Sequence, residues 1–260
     1  MNTTDAPALL DVESLSIRYG GVVAIPDLSF SIPEGSVVGL IGPNGAGKTS
    51  LVDGLSGAHR PSSGTVRLRG RDITGEPPHT LARRGLTRTF QSAELFDDLT
   101  VLENLKVAAE KLSVRRALAQ IFPRRTRGGQ ENVEWAAEVA EISHLLDRMP
   151  SQLTHGQRKL VGVARALASR PSLLLLDEPA AGLDTTETKE LGRQLRTLPT
   201  SGTSLLLIDH DMSLVLEICD LVLVIDFGEL IAQGTPAQIR LDQHVIDAYL
   251  GQETTVEARP

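Results

Sequence analysis

Eight consecutive residues, Gly42-Pro43-Asn44-Gly45-Ala46-Gly47-Lys48-Thr49, carry the spacing with which a chain wraps phosphate oxygens. Glycines at three of these positions let backbone N–H groups curl around an anion without interference from Cβ atoms. In such a P-loop pattern Lys48 would reach the β- and γ-phosphates of a nucleoside triphosphate and the Thr49 hydroxyl would hold Mg²⁺. Ser50 is expected among the ATP-binding residues with this loop, and a helix opening here would add the positive end of its dipole. Further along, residues 173–176 are all leucine and lead into Asp177 and Glu178. Two acids at a strand end suit a pair in which Asp177 holds Mg²⁺ through water and Glu178 polarises an attacking water. A turn with two solvated acids fits the same residues equally well.

Chemistry placed in this way needs strands to carry it. Val37 to Ile41 is a continuous apolar run that ends in the glycine-rich loop, and Leu51, Val52 and Leu55 follow on one helical face. The pattern predicts strand, loop, helix. Residues 173–176 and 205–208 have the same character, and each run ends on acidic or His residues, as expected where parallel strands deliver catalytic groups at their carboxyl ends. Alternation at Leu15, Ile17 and Tyr19, at Leu28, Phe30 and Ile32, and at Val66 and Leu68 predicts an N-terminal antiparallel β layer. From about Ser92 to Ser169 the patterning is mainly helical. The expectation is one domain over 1–260, of α/β class, with a helical subdomain at 92–169 inserted in the core. Near the end, Thr235, Pro236 and Gln238 form a capping-box pattern that starts a helix reaching Tyr249. Residues 251–260 read as a frayed tail.

A formal net charge of −7 argues against a duplex-DNA binder. The one cysteine, Cys219, cannot form an internal disulfide, which suits a reducing compartment. With Met212, Val215 and Leu216 it falls on a core-facing helical stripe, so packing is its expected role. Met1 to Ala8 lacks the make-up of a secretion leader, and no apolar stretch approaches the roughly 20 residues that span a bilayer. A cytoplasmic chain with any membrane role supplied by partners is expected. The Arg-rich residues 111–129 read as a solvated helix and loop, with a basic docking patch as the alternative.

Six stretches, in order, resemble the ATP-binding cassette (ABC) ATPase family over nearly the whole chain. Tyr19 matches its A-loop, Gly42 to Thr49 its Walker A loop, Gln91 its Q-loop, Leu153-Thr154-His155-Gly156-Gln157 its signature, Asp177-Glu178 its Walker B pair with Asp184 as D-loop, and His210 its switch histidine. Taken singly, Tyr19 could be a strand aromatic, Gln91 a solvated amide, Asp184 a helix cap and His210 a strand-end histidine. The resemblance implies a P-loop NTPase (ABC ATPase) core using ATP and Mg²⁺. It implies that Tyr19 stacks on adenine, that Glu178, His210 and Gln91 serve catalysis, and that Thr49, Gln91 and Asp177 hold the metal. It also implies that Thr154, His155, Gly156 and Gln157 address ATP held by a second cassette. The signature departs from the family's commonest wording, with Thr154 where Ser is usual and His155 where Gly is usual. Thr154 keeps the hydroxyl, Gly156 begins a helix with Leu160, Val163, Ala164 and Leu167 as its apolar stripe, and His155 reads as solvated or packed.

Arg88-Thr89-Phe90-Gln91, Leu99-Thr100-Val101-Leu102-Glu103-Asn104-Leu105, Asp209-His210-Asp211-Met212 and Ala248-Tyr249-Leu250-Gly251 resemble the ATPase subunits of branched-chain (hydrophobic) amino-acid importers. Urea and amide importers and the lipopolysaccharide-export ATPase share several of these markers. The resemblance implies a subunit peripheral to the inner face of the cell membrane, paired with an identical or homologous cassette. Two permease subunits and, indirectly, a substrate-binding protein would complete the assembly, and nucleic acid is not expected as a partner. Competing readings are a non-transport ABC ATPase acting on nucleic acid or ribosomes and a P-loop small-molecule kinase. The first usually carries tandem cassettes or long coiled coils, neither of which this sequence has, and the second leaves the signature idle.

Overall fold

The continuous apolar runs become strands buried on both faces. In the computed structural model, which describes residues 8–89, 95–109 and 127–256, the strands are β1 (Ala8–Tyr19), β2 (Val22–Pro33), β3 (Val37–Ile41), β4 (Ser63–Leu68), β5 (Arg71–Asp72), β6 (Leu86–Thr89), β7 (Leu173–Asp177), β8 (Ser204–Ile208), β9 (Leu221–Asp226) and β10 (Glu229–Gly234). They form a six-stranded sheet ordered β10-β9-β3-β8-β7-β6 and a four-stranded sheet ordered β2-β1-β4-β5. Within the larger sheet the pairs from β9 to β6 are parallel and β10 is antiparallel. The smaller sheet is antiparallel throughout.

Because successive side chains alternate across a sheet, one run of leucines feeds two cores. Val38, Leu40, Leu173, Leu175, Leu206 and Ile208 pack towards the antiparallel sheet and the helix α1 (Lys48–Leu55), where Leu51, Val52 and Leu55 meet them as expected. Val37, Ile41, Leu174, Leu176, Leu205 and Leu207 pack on the opposite side. After α2 (Pro78–Arg84), that second core is covered by α3 (Val101–Ala109), α4 (Arg127–Val139), α5 (His155–Leu167), α6 (Thr185–Thr197) and α7 (Met212–Ile218). Between β6 and β7 the described residues contain helices and 3₁₀ turns and no strand, in keeping with the helical patterning. Most of the Arg-rich stretch lies outside the described residues.

Three features differ from the sequence expectations. The strands β5, β6, β9 and β10 were not anticipated, although β9 pairs directly with β3 beneath the glycine-rich loop. The helix expected from Pro236 to Tyr249 is two: α8 (Pro236–Ile239) and α9 (Gln243–Val256). Thr235 and Gln238 do form the capping box, but Asp242 accepts from the His244 amide at 2.9 Å and starts the chain on a new helix. The backbone of α9 then continues past Gly251 to Val256. On α7, Val215 is buried as expected together with Leu214 and Ile218, whereas Met212 and Leu216 are only partly covered. Cys219 caps α7 at 6% exposure, and burial pushes its thiol up to about 12, which suits packing. Among the described residues no helix is long and apolar enough to cross a membrane.

The sheet and α7 touch at Gly39 so closely that a Cβ there would lie 2.5 Å from Val215 Cγ1 and 3.0 Å from Cys219 Sγ. Gly39→Ala should therefore cost about 1–3 kcal/mol through overpacking. Urea unfolding of Gly39→Ala beside the Gly39→Ala/Val215→Ala double variant checks this, the second substitution recovering part of the loss.

Candidate nucleotide site

The loop after β3 is held open by backbone geometry. Gly42, Gly45 and Gly47 have φ of 155°, 83° and 102°, a region that side chains disfavour. At Gly42 a Cβ would come within 2.1 Å of the Ile225 carbonyl oxygen, so the loop rests directly on β9. At Gly45, by contrast, a Cβ would meet nothing within 4 Å, which leaves that face of the cradle clear. Behind the loop the Gly228 amide, in the β9–β10 turn, donates to the Ala46 carbonyl at 2.9 Å. Lys48 opens α1, and its Nζ donates to the carbonyls of Gly42 and Pro43 at 2.6 and 2.9 Å. Burial lowers its pKa, and the charges of Glu178 and Asp177 oppose that shift, so all three groups share one cleft.

Asp177 ends β7 and Glu178 follows with φ of 46°, a conformation that costs a residue with a side chain roughly 1–2 kcal/mol. The turn is held by the Glu178 amide donating to Ile208 O at 2.7 Å and the Ala181 amide donating to Glu178 O at 3.2 Å. Across the cleft, His210 Nδ1 lies 3.9 Å from Glu178 Oε1 and 3.6 Å from Asp209 Oδ1, inside the range of charge attraction but beyond a hydrogen bond. Asp209 itself is 1% exposed and accepts from the amides of Ala180 and Asp211 at 3.4 and 3.0 Å. Burial raises its pKa above the usual carboxylate range.

Thr49 at the head of α1 and Asp177 offer hard oxygen atoms beside the phosphate loop. No cluster of three or more acidic, His or Cys side chains that could hold a metal appears among the described residues. That donor set fits Mg²⁺, which takes one or two protein oxygens and completes its shell with phosphates and water. Gln91, expected as a third metal-side group, lies outside the described residues.

At the other end of α1, the exposed ring of Tyr19 packs against His59 with centroids 4.2 Å apart, and its hydroxyl donates to Asp53 Oδ2 at 3.3 Å. His59 Nε2 is fixed at 2.9 Å from Arg18 O. The ring that the family resemblance assigns to adenine is thus backed by a second ring.

The signature residues form a different constellation. Thr154 caps α5, its Oγ1 accepting from the Gln157 amide at 3.2 Å while Gln157 Oε1 accepts from the Thr154 amide at 3.0 Å. The Gly156 amide donates to Glu187 Oε1 at 3.2 Å, and a Cβ at Gly156 would come within 2.9 Å of that oxygen. His155 is exposed, with Nε2 3.5 Å from Ala181 O and 3.2 Å from where a Cβ on Gly182 would stand. Asp184 caps α6 by accepting from the amides of Thr186 and Glu187 at 2.7 and 2.8 Å. Along α5, Val163, Ala164 and Leu167 are buried as the stripe predicts, and Leu160 is partly so.

Sequence reasoning missed Asp53, His59, Asp209 and Glu187 as members of these networks, and Arg88, whose guanidinium contacts both Asp53 and Asp177. Arg88 and Asp209 did stand inside quoted stretches, and Glu187 follows Asp184 at capping-box spacing; nothing in the spacing of Asp53 and His59 marked them.

Two family profiles match the chain: one described as "ABC transporter" over residues 25–181 and one described as "Branched-chain amino acid ATP-binding cassette transporter" over residues 229–254. The chain is 41% identical over 250 residues to the high-affinity branched-chain amino acid transport ATP-binding protein BraF of Pseudomonas aeruginosa, covering 94% of this chain and 98% of the relative. It is 40% identical, over the same shares of both chains, to LivG of Escherichia coli, a protein of the same description. Among solved structures, the ADP conformation of MJ1267, an ATP-binding cassette of an ABC transporter, superposes with a TM-score of 0.82 at 30% identity, covering 95% of this chain and all of that one.

Asp209 carries a pH signature. Its raised folded pKa means that the folded chain holds this proton more tightly than the unfolded chain does. Its contribution therefore favours folding at low pH and is lost as pH rises from the ordinary carboxyl value of 3.8 through the raised one. Asp209→Asn, which does not titrate, should gain stability relative to the parent across that rise. Urea midpoints taken through the carboxylate range read the trend.

Proposed function

We propose, for a chain that belongs to the ABC transporter ATPase family, the role of ATP-hydrolysing subunit in an importer of branched-chain or other hydrophobic amino acids. The observation that carries the substrate class is the match over residues 229–254, which span β10, α8 and most of α9. Phosphate chemistry is common to every cassette whatever its cargo, so a match outside the phosphate-binding residues is the one that bears on cargo.

The amides of Gly45 and its neighbours, the N-terminal end of α1 and Lys48 bind the phosphates, and Tyr19 takes the base. Thr49, Asp177 and Gln91 would hold Mg²⁺, which when bound neutralises charge across the β- and γ-oxygens. Glu178 accepts a proton from the water that attacks the γ-phosphorus as the bond to the leaving ADP oxygen breaks. His210, 3.9 Å from Glu178 Oε1, orients that carboxylate and its water.

A single loop leaves one side of the γ-phosphate to solvent. The reading therefore pairs two cassettes, with Thr154, His155, Gly156 and Gln157 at the head of α5 completing the partner's site and excluding water. The 13 residues of α5 and its Thr154 cap support that role. Loss of the γ-phosphate then removes what joins the halves, and hydrolysis opens the pair. Two permease subunits, and through them a substrate-binding protein, would turn that motion into transport and hold this chain at the inner face of the membrane.

Glu178→Gln should retain ATP binding, lose turnover by about 10²–10⁴-fold, and accumulate an ATP-dependent dimer on size exclusion; normal turnover would remove Glu178 from this role. For cargo, the chain co-purified with its permeases and reconstituted should drive ATP-dependent uptake of leucine. Uptake of urea or amides without leucine would overturn the substrate class. ATPase stimulated by nucleic acid, with no membrane partner recovered, would overturn transport itself.

A further inference from the structure

One buried cation joins the two ends of the nucleotide site. Arg88, on β6, extends its guanidinium between α1 and β7. Its Nη1 donates to Asp53 Oδ1 at 2.6 Å and Ser56 Oγ at 3.2 Å, and its Nη2 donates to Asp177 Oδ2 at 2.8 Å. The Arg88 side chain is 9% exposed and that of Asp177 12%. The second oxygen of Asp53 accepts from the Tyr19 hydroxyl. A continuous line of polar contacts thus runs from Tyr19 through Asp53 and Arg88 to Asp177.

We propose that Arg88 is a positioning residue: by tying Asp177 to α1 through Asp53 it sets the direction in which the Asp177 carboxylate meets Mg²⁺, and so links the metal site to the base-binding end at Tyr19. The proposal rests on the nucleotide-site reading above. A carboxylate at a metal has a free rotation that its outer hydrogen bonds must remove, and loss of such a partner weakens metal binding about 10–100-fold. Here Nη2 donates to Oδ2, which restrains the carboxylate, and Oδ1 would be the oxygen offered towards Mg²⁺ and its water. The planar fork matters because it serves two acids on different elements at once. A lysine ammonium, a compact point charge on a flexible stem, does not reproduce that geometry. Arg88 also stands three residues before Gln91 in the sequence, the residue that the family resemblance places with Asp177 at the metal. A purely electrostatic role makes the opposite forecast, because a cation beside Asp177 would repel Mg²⁺ and its removal would tighten metal binding.

The test is equilibrium binding of mant-ATP to the full chain in excess Mg²⁺ and again in EDTA, the ratio of the two affinities being the gain due to metal. Arg88→Met and Arg88→Lys should each cut that gain about 10–100-fold and leave the EDTA affinity nearly unchanged. Asp53→Asn should cut the gain in the same direction, and should have no further effect in the Arg88→Met background. A gain that is unchanged or larger in the Arg88 variants, or affinity lost equally with and without metal, overturns the proposal. Should Arg88→Met fail to fold, Arg88→Lys and Asp53→Asn, with folding checked by circular dichroism, decide it on the same ratio. Lys48→Ala serves as the control: if it binds mant-ATP as tightly as the parent in both buffers, the nucleotide-site reading falls and the role of Arg88 falls with it.

Discussion

Ile208 pairs with Leu40 on one side and with Asp177 on the other, and this register brings the phosphate loop, the acidic pair and His210 to one edge of the sheet. Side chains alternate with a period of two, so a slip of one residue in β8 would turn every leucine to the wrong core. The two cores, filled from opposite faces by alternate residues of β3, β7 and β8, forbid that slip. The carbonyl of Ile208 also accepts from the Glu178 amide, which fixes the turn beyond β7 in its unfavourable backbone conformation. Packing in the interior therefore sets positions at the rim, where no apolar contact could hold a carboxylate in place.

The rim itself is held by buried charge. Arg88 offsets two acids, Lys48 is anchored by two carbonyls, and Asp209 is satisfied by two amides. Each group carries a desolvation cost, seen in the lowered pKa of Lys48 and the raised pKa of Asp209. Such groups are kept in place by directional hydrogen bonds rather than by hydrophobic burial. A network of this kind contributes little net stability compared with a packed apolar core, but it restricts the cleft to one arrangement of its charges.

The head of α5 is organised in the same way from the other direction. Its Gly156 amide, which a phosphate in a second cassette would address, already donates to Glu187, and Glu187 belongs to the cap that Asp184 makes on α6. The heads of α5 and α6 are thus one structural unit, with the exposed ring of His155 beside the Ala181 carbonyl. Asp184 is a helix cap by geometry, accepting from the amides of Thr186 and Glu187, and that role is compatible with the D-loop position that the family resemblance gives it.

The α/β class, the phosphate loop, the parallel strands at residues 37–41, 173–176 and 205–208 and the cap on α8 were all legible in the sequence, because each rests on local periodicity or on a fixed spacing within one turn of chain. Gly42 to Thr49 needs its residue types in that order whatever surrounds it. The break between α8 and α9 was local too, but its signal was a single Asp242 within an unbroken helical pattern. What only tertiary structure decided are the contacts across elements: β9 beneath the loop, Arg88 between Asp53 and Asp177, Glu187 on Gly156 and His59 behind Tyr19. Arg88 lies 35 residues from Asp53 and 89 from Asp177. Separations of that size leave no periodic trace in a sequence, since strand order and register, and not spacing along the chain, determine which side chains meet.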